Sequence, residues 1–381
     1  MTRPIDLFKT FIGFVLIGSF AAAPRSALAL EEQLKNYRGI RSAGMGGVIT
    51  TTGNFSEALF GNPARLSAVD VSKLTLLELT TEVNSNLLAD SAAVSDVMSA
   101  AGSEQIVAGT KILGRNQHIR FQMLSAYYNP KFIGDVGFGF GVLASVQSNL
   151  LVNYTTEFDT TAIADVGPVM GLSYPFLDGN LLAGFNLKLL YRASIDDRIT
   201  SLDFLSGKKL EFSTFGHQGV GIDSDLGGYY RLPWQPTFMR INVGASISNL
   251  FKSHYDEFYS EWLSGLTPRP KNNDRVLNIG TRFDFPDTGW FKAPLLAIEF
   301  QDLGSTTHEM SWAKSLHIGG EAKLSRAFAV RAGLNQGYMA AGIGLDLALL
   351  KIDLATYGEE LSGTVGEQED RRFVFKLAFE I

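Results

Sequence analysis

Apolar and polar residues alternate with a period of two in one segment after another, up to the last residue of the chain. In the final segment, RRFVFKLAFEI, every second residue from Phe373 to Ile381 is apolar. The alternation recurs in GFNLKLLYR (184–192), MRINVGASIS (239–248) and VLNIGTRFDF (276–285). Because successive side chains of a strand point to opposite faces, this period indicates β-strands with one apolar face. The terminal strand must therefore pair with another strand, and its apolar face must meet apolar surroundings.

The length and number of these segments indicate how they are arranged. Many reach roughly ten residues, which is the length that a tilted strand needs to cross a bilayer. We expect about fourteen strands, an even number as in bacterial outer-membrane barrels. They lie at 73–83, 117–128, 134–147, 159–176, 180–194, 215–231, 237–250, 274–285, 293–303, 313–324, 327–335, 338–348, 350–359 and 371–381.

Short and long connections alternate along this series. NPKFI, LDG and LPWQP are short, whereas most of the connections between them are long. Bacterial outer-membrane barrels show the same pattern, with short periplasmic turns on one rim and longer extracellular loops on the other. The brief NQG at 335–337 is the exception. The fold class that we expect is all-β, a transmembrane antiparallel β-barrel.

The composition excludes several other classes of protein. The net charge is −6 and there is no basic block, which argues against a nucleic-acid partner. The chain has no cysteine, so it has neither a disulfide framework nor a lipid-modified N-terminal cysteine. After residue 29, no continuous apolar stretch is long enough to cross a bilayer as a helix.

The first 29 residues have the features of a cleaved signal peptide. Arg3 and Lys9 supply the positive start, TFIGFVLIGSFAAA supplies the apolar stretch, and residues 27–29 (ALA) form a small-x-small cleavage site. We expect export, and with the barrel prediction this places the protein in the outer membrane of a Gram-negative bacterium. A soluble secreted protein is the alternative.

Residues 30–72 have no strand period and are too many for a turn. Gly44, Gly46 and Gly47 permit sharp turns, and NFSEALFGNPARL (54–66) predicts a short helix that breaks before Pro63. Such a segment could hang in the periplasm as a tail or fold inward. Because its apolar residues are better buried, we expect a plug, or hatch, inside the lumen of the barrel at 73–381. The loop at about 84–116 is predicted to be helical and extracellular, either collecting ligand or only stabilising the barrel mouth.

The hatch segment carries a resemblance to a known family. SAGMGG and SEALFGNPARL are similar to the N-terminal hatch of the FadL-type outer-membrane transporters of long-chain fatty acids and other hydrophobic compounds. The Asn-Pro-Ala motif of that hatch falls on Asn62, Pro63 and Ala64. The stretch RAGLNQGYMAAGIGLDLALLKIDLATYGEEL resembles a FadL-like branch often labelled conjugal-transfer TraF-like.

The resemblance implies a function as well as a fold. It implies a fourteen-stranded barrel with an N-terminal plug, taking up hydrophobic small molecules passively through a wall opening. Gly137, Gly139 and Gly141 are the expected wall kink, because glycines in strands often mark bulges or bends. These glycines could equally make room for the plug. The alternative function is a scaffold for secretion or conjugation, with a purely structural plug.

No enzymatic site is predicted. The five histidines have no metal-ligand spacing, and neither H-E-x-x-H nor G-x-S-x-G occurs, so we expect no catalysis, no cofactor and no metal. Inward charges of both signs, among them Glu299, Glu321 and Arg331, are expected to form a salt-bridged network around the plug. Arg192 and Arg331 are the possible contacts for a ligand carboxylate.

Three kinds of partner are expected. They are outer-membrane lipid, a hydrophobic ligand and, during biogenesis, the barrel assembly machinery. The alternating final strand resembles the signal that this machinery recognises, although such signals typically end in Phe and this chain ends in Ile381.

Overall fold

A computed structural model describes residues 32, 35–69, 71–154, 157–208, 210, 212–256, 269–304 and 311–381. The signal peptide expected at 1–29 lies outside the described residues. Within the described chain, no helix is both long and apolar enough to cross a membrane.

Fifteen strands belong to one antiparallel sheet, and fourteen of them form the wall of a closed barrel. The exception is β8, a two-residue strand against β6. The strands are β1 Lys73–Asn84, β2 Gln117–Ile133, β3 Val136–Val152, β4 Phe158–Phe176, β5 Leu181–Ile199, β6 His217–Arg231, β7 Arg240–Ser248, β8 Tyr255–Asp256, β9 Val276–Asp284, β10 Lys292–Leu303, β11 Leu316–Lys323, β12 Phe328–Asn335, β13 Tyr338–Asp346, β14 Leu350–Glu360 and β15 Glu369–Glu380. Each of the fourteen predicted segments overlaps one wall strand, so the predicted barrel is confirmed.

The last strand closes the sheet against the first. β15 pairs with β1 in an antiparallel register that sets Phe375 opposite Thr81. At the end of this pair, Leu74 and Ile381 exchange two backbone hydrogen bonds of 2.8 Å each. β5 pairs with β6, and the remaining wall strands pair with their sequence neighbours. The terminal alternating segment is therefore half of the barrel seam.

Between residue 35 and β1, the described residues form three short helices. They are α1 Ile40–Gly44, α2 Ser56–Gly61 and a 3₁₀ helix at Pro63–Ala68. Their backbones contact the inward faces of wall strands on most sides of the lumen, β13 and β14 at α1 and β4 to β6 at the 3₁₀ helix. We keep the name hatch for this segment.

The two rims of the barrel differ as the connection lengths indicated. The rim where β2 and β3 join, which we call the turn rim, carries short connections. Among the described residues, the opposite rim, the loop rim, carries six further helices: α3 Ser85–Ser99, α4 Ser103–Gly109, a 3₁₀ helix at Thr110–Ile112, α5 Ser201–Leu205, α6 Phe212–Phe215 and α7 Trp312–Ser315. Apolar residues of all these helices except α7 pack with strand ends in one buried cluster, in which Phe158 meets Phe204 edge to face at 4.8 Å. This packing stabilises the loop rim, and ligand collection there stays a prediction.

The wall has apolar side chains outside and polar ones inside. Glu82, Arg120 and Gln122 are buried and point inward. Soluble proteins have the reverse polarity. The exposed apolar side chains on β2, β5 and β15 include Ile119, Phe121, Met123, Phe185, Leu187, Leu189, Phe373, Phe375 and Phe379.

If this outer belt faces hydrocarbon, a charge placed in it will lower the stability of the barrel. Phe375 lies near the middle of β15 and is 44% exposed. We expect Phe375→Arg to lower the free energy of unfolding in lipid vesicles by about 2–4 kcal/mol, the cost of an arginine at the bilayer midplane. Chemical denaturation of Phe375→Arg, and of Phe375→Leu as the control, measures the free energy of unfolding. Equal stability of the two variants would show that the belt does not face lipid.

Candidate functional site

The Asn-Pro-Ala motif joins the hatch to the wall. Asn62 caps the 3₁₀ helix by accepting a hydrogen bond from the Ala64 N–H at 3.2 Å, and Pro63 occupies the first helical position. The Asn62 side-chain amide donates to the carbonyl oxygens of Thr50 at 2.9 Å and Gly228 at 3.1 Å. One asparagine thus holds a helix end, a second part of the hatch and β6 together.

The glycine-rich turn brings hatch backbone against wall backbone. Gly46 has a φ of 67°, and a Cβ there would lie 2.5 Å from the carbonyl oxygens of Ile318 and Leu334. Gly47 also has a positive φ, and Gly44 packs against Gly342 of β13. Only residues without a side chain allow this approach.

The glycines of β3 lie on the inward face, next to the hatch. A Cβ at Gly137 would lie 2.5 Å from the Ser67 nitrogen, and one at Gly139 would touch Leu66. A Cβ at Gly141 would meet Ala126 of β2. The pairing of β3 with β4 continues through these residues without a register shift. Gly137 and Gly139 make room for the hatch, while a wall kink at the three glycines stays a prediction.

Glu299 of β10 binds the hatch backbone. Its side chain is fully buried and accepts hydrogen bonds from the N–H groups of Ile49, Thr50 and Thr51 at 2.8–3.0 Å. The Thr51 hydroxyl also donates to it at 2.8 Å. The alternation in β10 predicted only that Glu299 points inward. No signal in the sequence identified the three amides that it binds.

Ion pairs between hatch and wall fill much of the remaining lumen. Arg372 of β15 donates to both carboxylate oxygens of Glu32, at 2.8 and 2.9 Å. Arg41 of α1 forms the same two-point contact with Glu321 of β11, at 2.9 and 2.8 Å. Burial raises the pKa of the neighbouring hatch carboxyl, Glu57, although Arg41 opposes the shift. Because an unpaired buried charge is costly, these pairs tie the hatch to β15 and to β11.

The two arginines predicted as ligand contacts are bonded to carboxylates of the protein. Arg192 is buried and donates to both oxygens of Asp165, at 2.7 Å each. It also donates to the Asn273 side chain and the Lys271 carbonyl. Arg331 bonds Glu321 at 2.7 Å and Asp353 at 2.6 Å. A role of either arginine in holding a ligand carboxylate stays a prediction.

One side of the lumen is apolar. Wall residues of β2 to β5 meet hatch residues there in a buried cluster, which we call the apolar patch. No signal in the sequence singled out the wall residues of this cluster. The patch contains Tyr37, Ala58, Leu59, Leu66, Leu124, Ala126, Tyr128, Leu143, Val169 and Leu190, with Phe55 and Phe60 packed against it.

The wall beside the apolar patch has a break in its hydrogen-bond ladder. Val166 of β4 pairs with Tyr191, and the next β4 residue paired with β5 is Val169, with Lys188. Between them stand Gly167 and Pro168, and proline has no N–H to donate. The register is the same on both sides of the break. The break lies near the middle of β4.

Among the described residues, no three potential metal ligands lie close enough together to hold an ion. The site is a lumen occupied by the hatch, with the apolar patch on one side and ion pairs such as Arg372–Glu32 and Arg41–Glu321 elsewhere.

If Glu299 organises the hatch, removing its carboxylate will loosen the three amides that it binds. We expect Glu299→Ala to speed hydrogen exchange at Ile49, Thr50 and Thr51 by at least about tenfold, because a hydrogen bond to a charged group contributes about 1.5–3 kcal/mol. Exchange measured by mass spectrometry tests this, with the exposed Glu367→Ala as the control. Unchanged exchange at 49–51 would mean that other contacts hold the turn.

The described fold resembles that of several solved channels. It matches the CymD monoaromatic hydrocarbon channel with a TM-score of 0.51 and 10% identity, covering 90% of this chain and 96% of that one. It matches the toluene transporter TodX of Pseudomonas putida with a TM-score of 0.51 and 13% identity, covering 91% and 98%. For the toluene transporter TbuX of Ralstonia pickettii the TM-score is 0.50 and the identity 11%, covering 91% and 98%.

Sequence comparison adds no further relative. No protein-family model matches this chain, and no curated protein matches it. At these identities the likeness concerns architecture, and it extends over nearly the whole length of both chains. The FadL-type resemblance stated from the sequence is therefore confirmed at the level of the fold: this chain has the architecture of the hydrophobic-compound channels, a fourteen-stranded barrel.

Proposed function

We propose that this protein is an outer-membrane channel for the passive uptake of hydrophobic small molecules, in size and character like long-chain fatty acids or simple hydrocarbons. The apolar patch between the hatch and β2 to β5 carries the proposal. A water-filled pore does little for a molecule whose hydration is unfavourable, whereas an apolar surface binds it. The shared architecture of the hydrocarbon channels supports the same reading.

The belt of exposed apolar side chains supports a location in a membrane. A closed barrel leaves no strand edge unpaired, as hydrocarbon surroundings require. With the predicted export signal, this favours the outer membrane of a Gram-negative bacterium, with lipid as the surrounding partner. Assembly by the barrel machinery, reading the strand that ends at Ile381, belongs to the same proposal.

The ladder break in β4 supports a route out through the wall. Gly167 and Pro168 lie between the apolar patch inside, where Val169 and Leu190 are buried, and exposed Val166 and Met170 outside. A ligand leaving the patch here passes from one apolar environment to another. Gly141, one of the glycines predicted to kink the wall, pairs with Val169 directly beside the break. Movement of the hatch away from the patch would gate this route.

Restoring the ladder hydrogen bond will close this route if the proposal is right. We expect Pro168→Val to slow the uptake of labelled toluene or oleate by intact cells by about fivefold, since one hydrogen bond contributes about 1 kcal/mol. Initial uptake rates at equal barrel levels measure this. Pro175→Val is the matched control, because Pro175 lies in the same strand but pairs normally with Leu182. Equal rates for the two variants would exclude an opening at Pro168.

A scaffold with a structural plug is the second candidate function. The buried ion pairs favour it, since the Arg372–Glu32 and Arg41–Glu321 contacts each fix the hatch to the wall at two points. A hatch needed only for stability would require such anchoring. A hatch that moves must break some of these contacts.

Deleting the hatch distinguishes the two functions. We expect removal of residues 35–66 to raise ion conductance in planar bilayers, because the lumen of a barrel this wide is otherwise open to water. The same deletion should change hydrophobic uptake if the hatch gates a route, and leave uptake unchanged if the plug is structural. No rise in conductance would show that the segment does not fill the lumen.

A further inference from the structure

The turn rim contains a large cavity on the side of β6, β7 and β9. Its volume is about 960 Å³, and it opens between the hatch and the ends of these strands. Four arginines line it: Arg65 of the hatch, Arg231 of β6, Arg240 of β7 and Arg282 of β9. Neither the hatch motif nor the apolar patch accounts for this concentration of positive charge.

The acidic residues of the cavity are already engaged. Asp284 accepts hydrogen bonds from Arg282 at 2.8 Å and from the Asn242 side chain at 2.9 Å. Asp287 accepts from the Ala293 N–H at 2.8 Å and pairs with Lys292 at 3.4 Å. The carboxylates therefore offset Arg282, and not the other three arginines.

The other three arginines have no carboxylate partner within the described part of the chain. Arg65 is buried, donates to the Gly53 carbonyl at 2.6 Å and lies over the ring of Tyr229 at 4.6 Å. The Arg231 guanidinium donates to the Gly179 carbonyl at 3.2 Å. Arg240 is exposed to the cavity. This distinguishes them from Arg192 and Arg331, which are bonded to carboxylates inside the barrel.

The cavity also has apolar walls. Ala68, Met239, Phe285 and Pro294 contribute to its lining. Arginine is the side chain best suited to bind a carboxylate at two points, and neighbouring apolar groups select an anion that carries hydrocarbon. An inorganic anion would interact only with the arginines and not with the apolar lining.

We propose that this cavity binds an organic carboxylate, an anion joined to an apolar group, at Arg231 and Arg240 with Arg65 behind them. Its position on the turn rim makes it the exit site for ligands that leave through the lumen instead of the wall. That role as an exit rests on the proposed uptake function. The binding itself does not.

Calorimetric titration of the full barrel in nanodiscs tests the site, with benzoate as the probe. We expect the double variant Arg231→Gln/Arg240→Gln to bind benzoate at least about tenfold more weakly, since a charge-assisted hydrogen bond contributes about 1.5–3 kcal/mol. Lys131→Gln is the matched control, because it removes a positive charge from the turn rim outside the cavity. Inorganic phosphate should bind much more weakly than benzoate.

Each result either supports or overturns the site. Benzoate affinity unchanged in the double variant, or lowered equally by Lys131→Gln, would overturn it. Phosphate binding as tight as benzoate would overturn the organic class of ligand and leave a general anion site. Toluene uptake by cells, measured in parallel, separates the two proposals. Arginine-dependent benzoate binding without toluene uptake would sustain the site and reject the uptake function.

Discussion

Closure of the sheet is the constraint on which the rest of the structure depends. A β-sheet with a free edge leaves a row of backbone donors and acceptors unpaired, and hydrocarbon offers nothing to satisfy them. Here β15 pairs with β1, so Leu74 of the first wall strand and Ile381 are adjacent at the turn rim although they are more than three hundred residues apart in sequence. Once closed, the barrel has an outside that must be apolar and an inside that must be filled.

The hatch inside the barrel explains why the inward side chains of the wall can be polar. Buried charges are tolerated only when they are paired, and the partners come both from other wall strands and from the hatch. The hatch supplies Glu32 and Arg41 to wall residues Arg372 and Glu321, and Glu299 binds hatch amides in return. The apolar patch is the contrasting region. There, hatch and wall adhere without ion pairs, so contacts can separate with less loss of charge pairing.

Periodicity explains why the barrel could be predicted and the site only in part. A two-residue repeat fixes which face a side chain occupies, so the fourteen strands and the inward position of Glu299 could be read from the sequence. The absence of that repeat identified the hatch. Which inward residues meet depends on barrel register and on how the hatch folds, and neither is local. For that reason, the partners of Arg192 and Arg331, and the break at Gly167 and Pro168, became visible only in three dimensions.

The contact between Glu32 and Arg372 has a consequence for biogenesis. These residues are 340 positions apart, and Arg372 belongs to β15, the strand that closes the sheet against β1. The contact therefore cannot form until the C-terminal strand is present. Completion of the wall and anchoring of the hatch at Glu32 are thus coupled events in the folding of this chain, and a molecule without β15 would lack both the seam and this anchor.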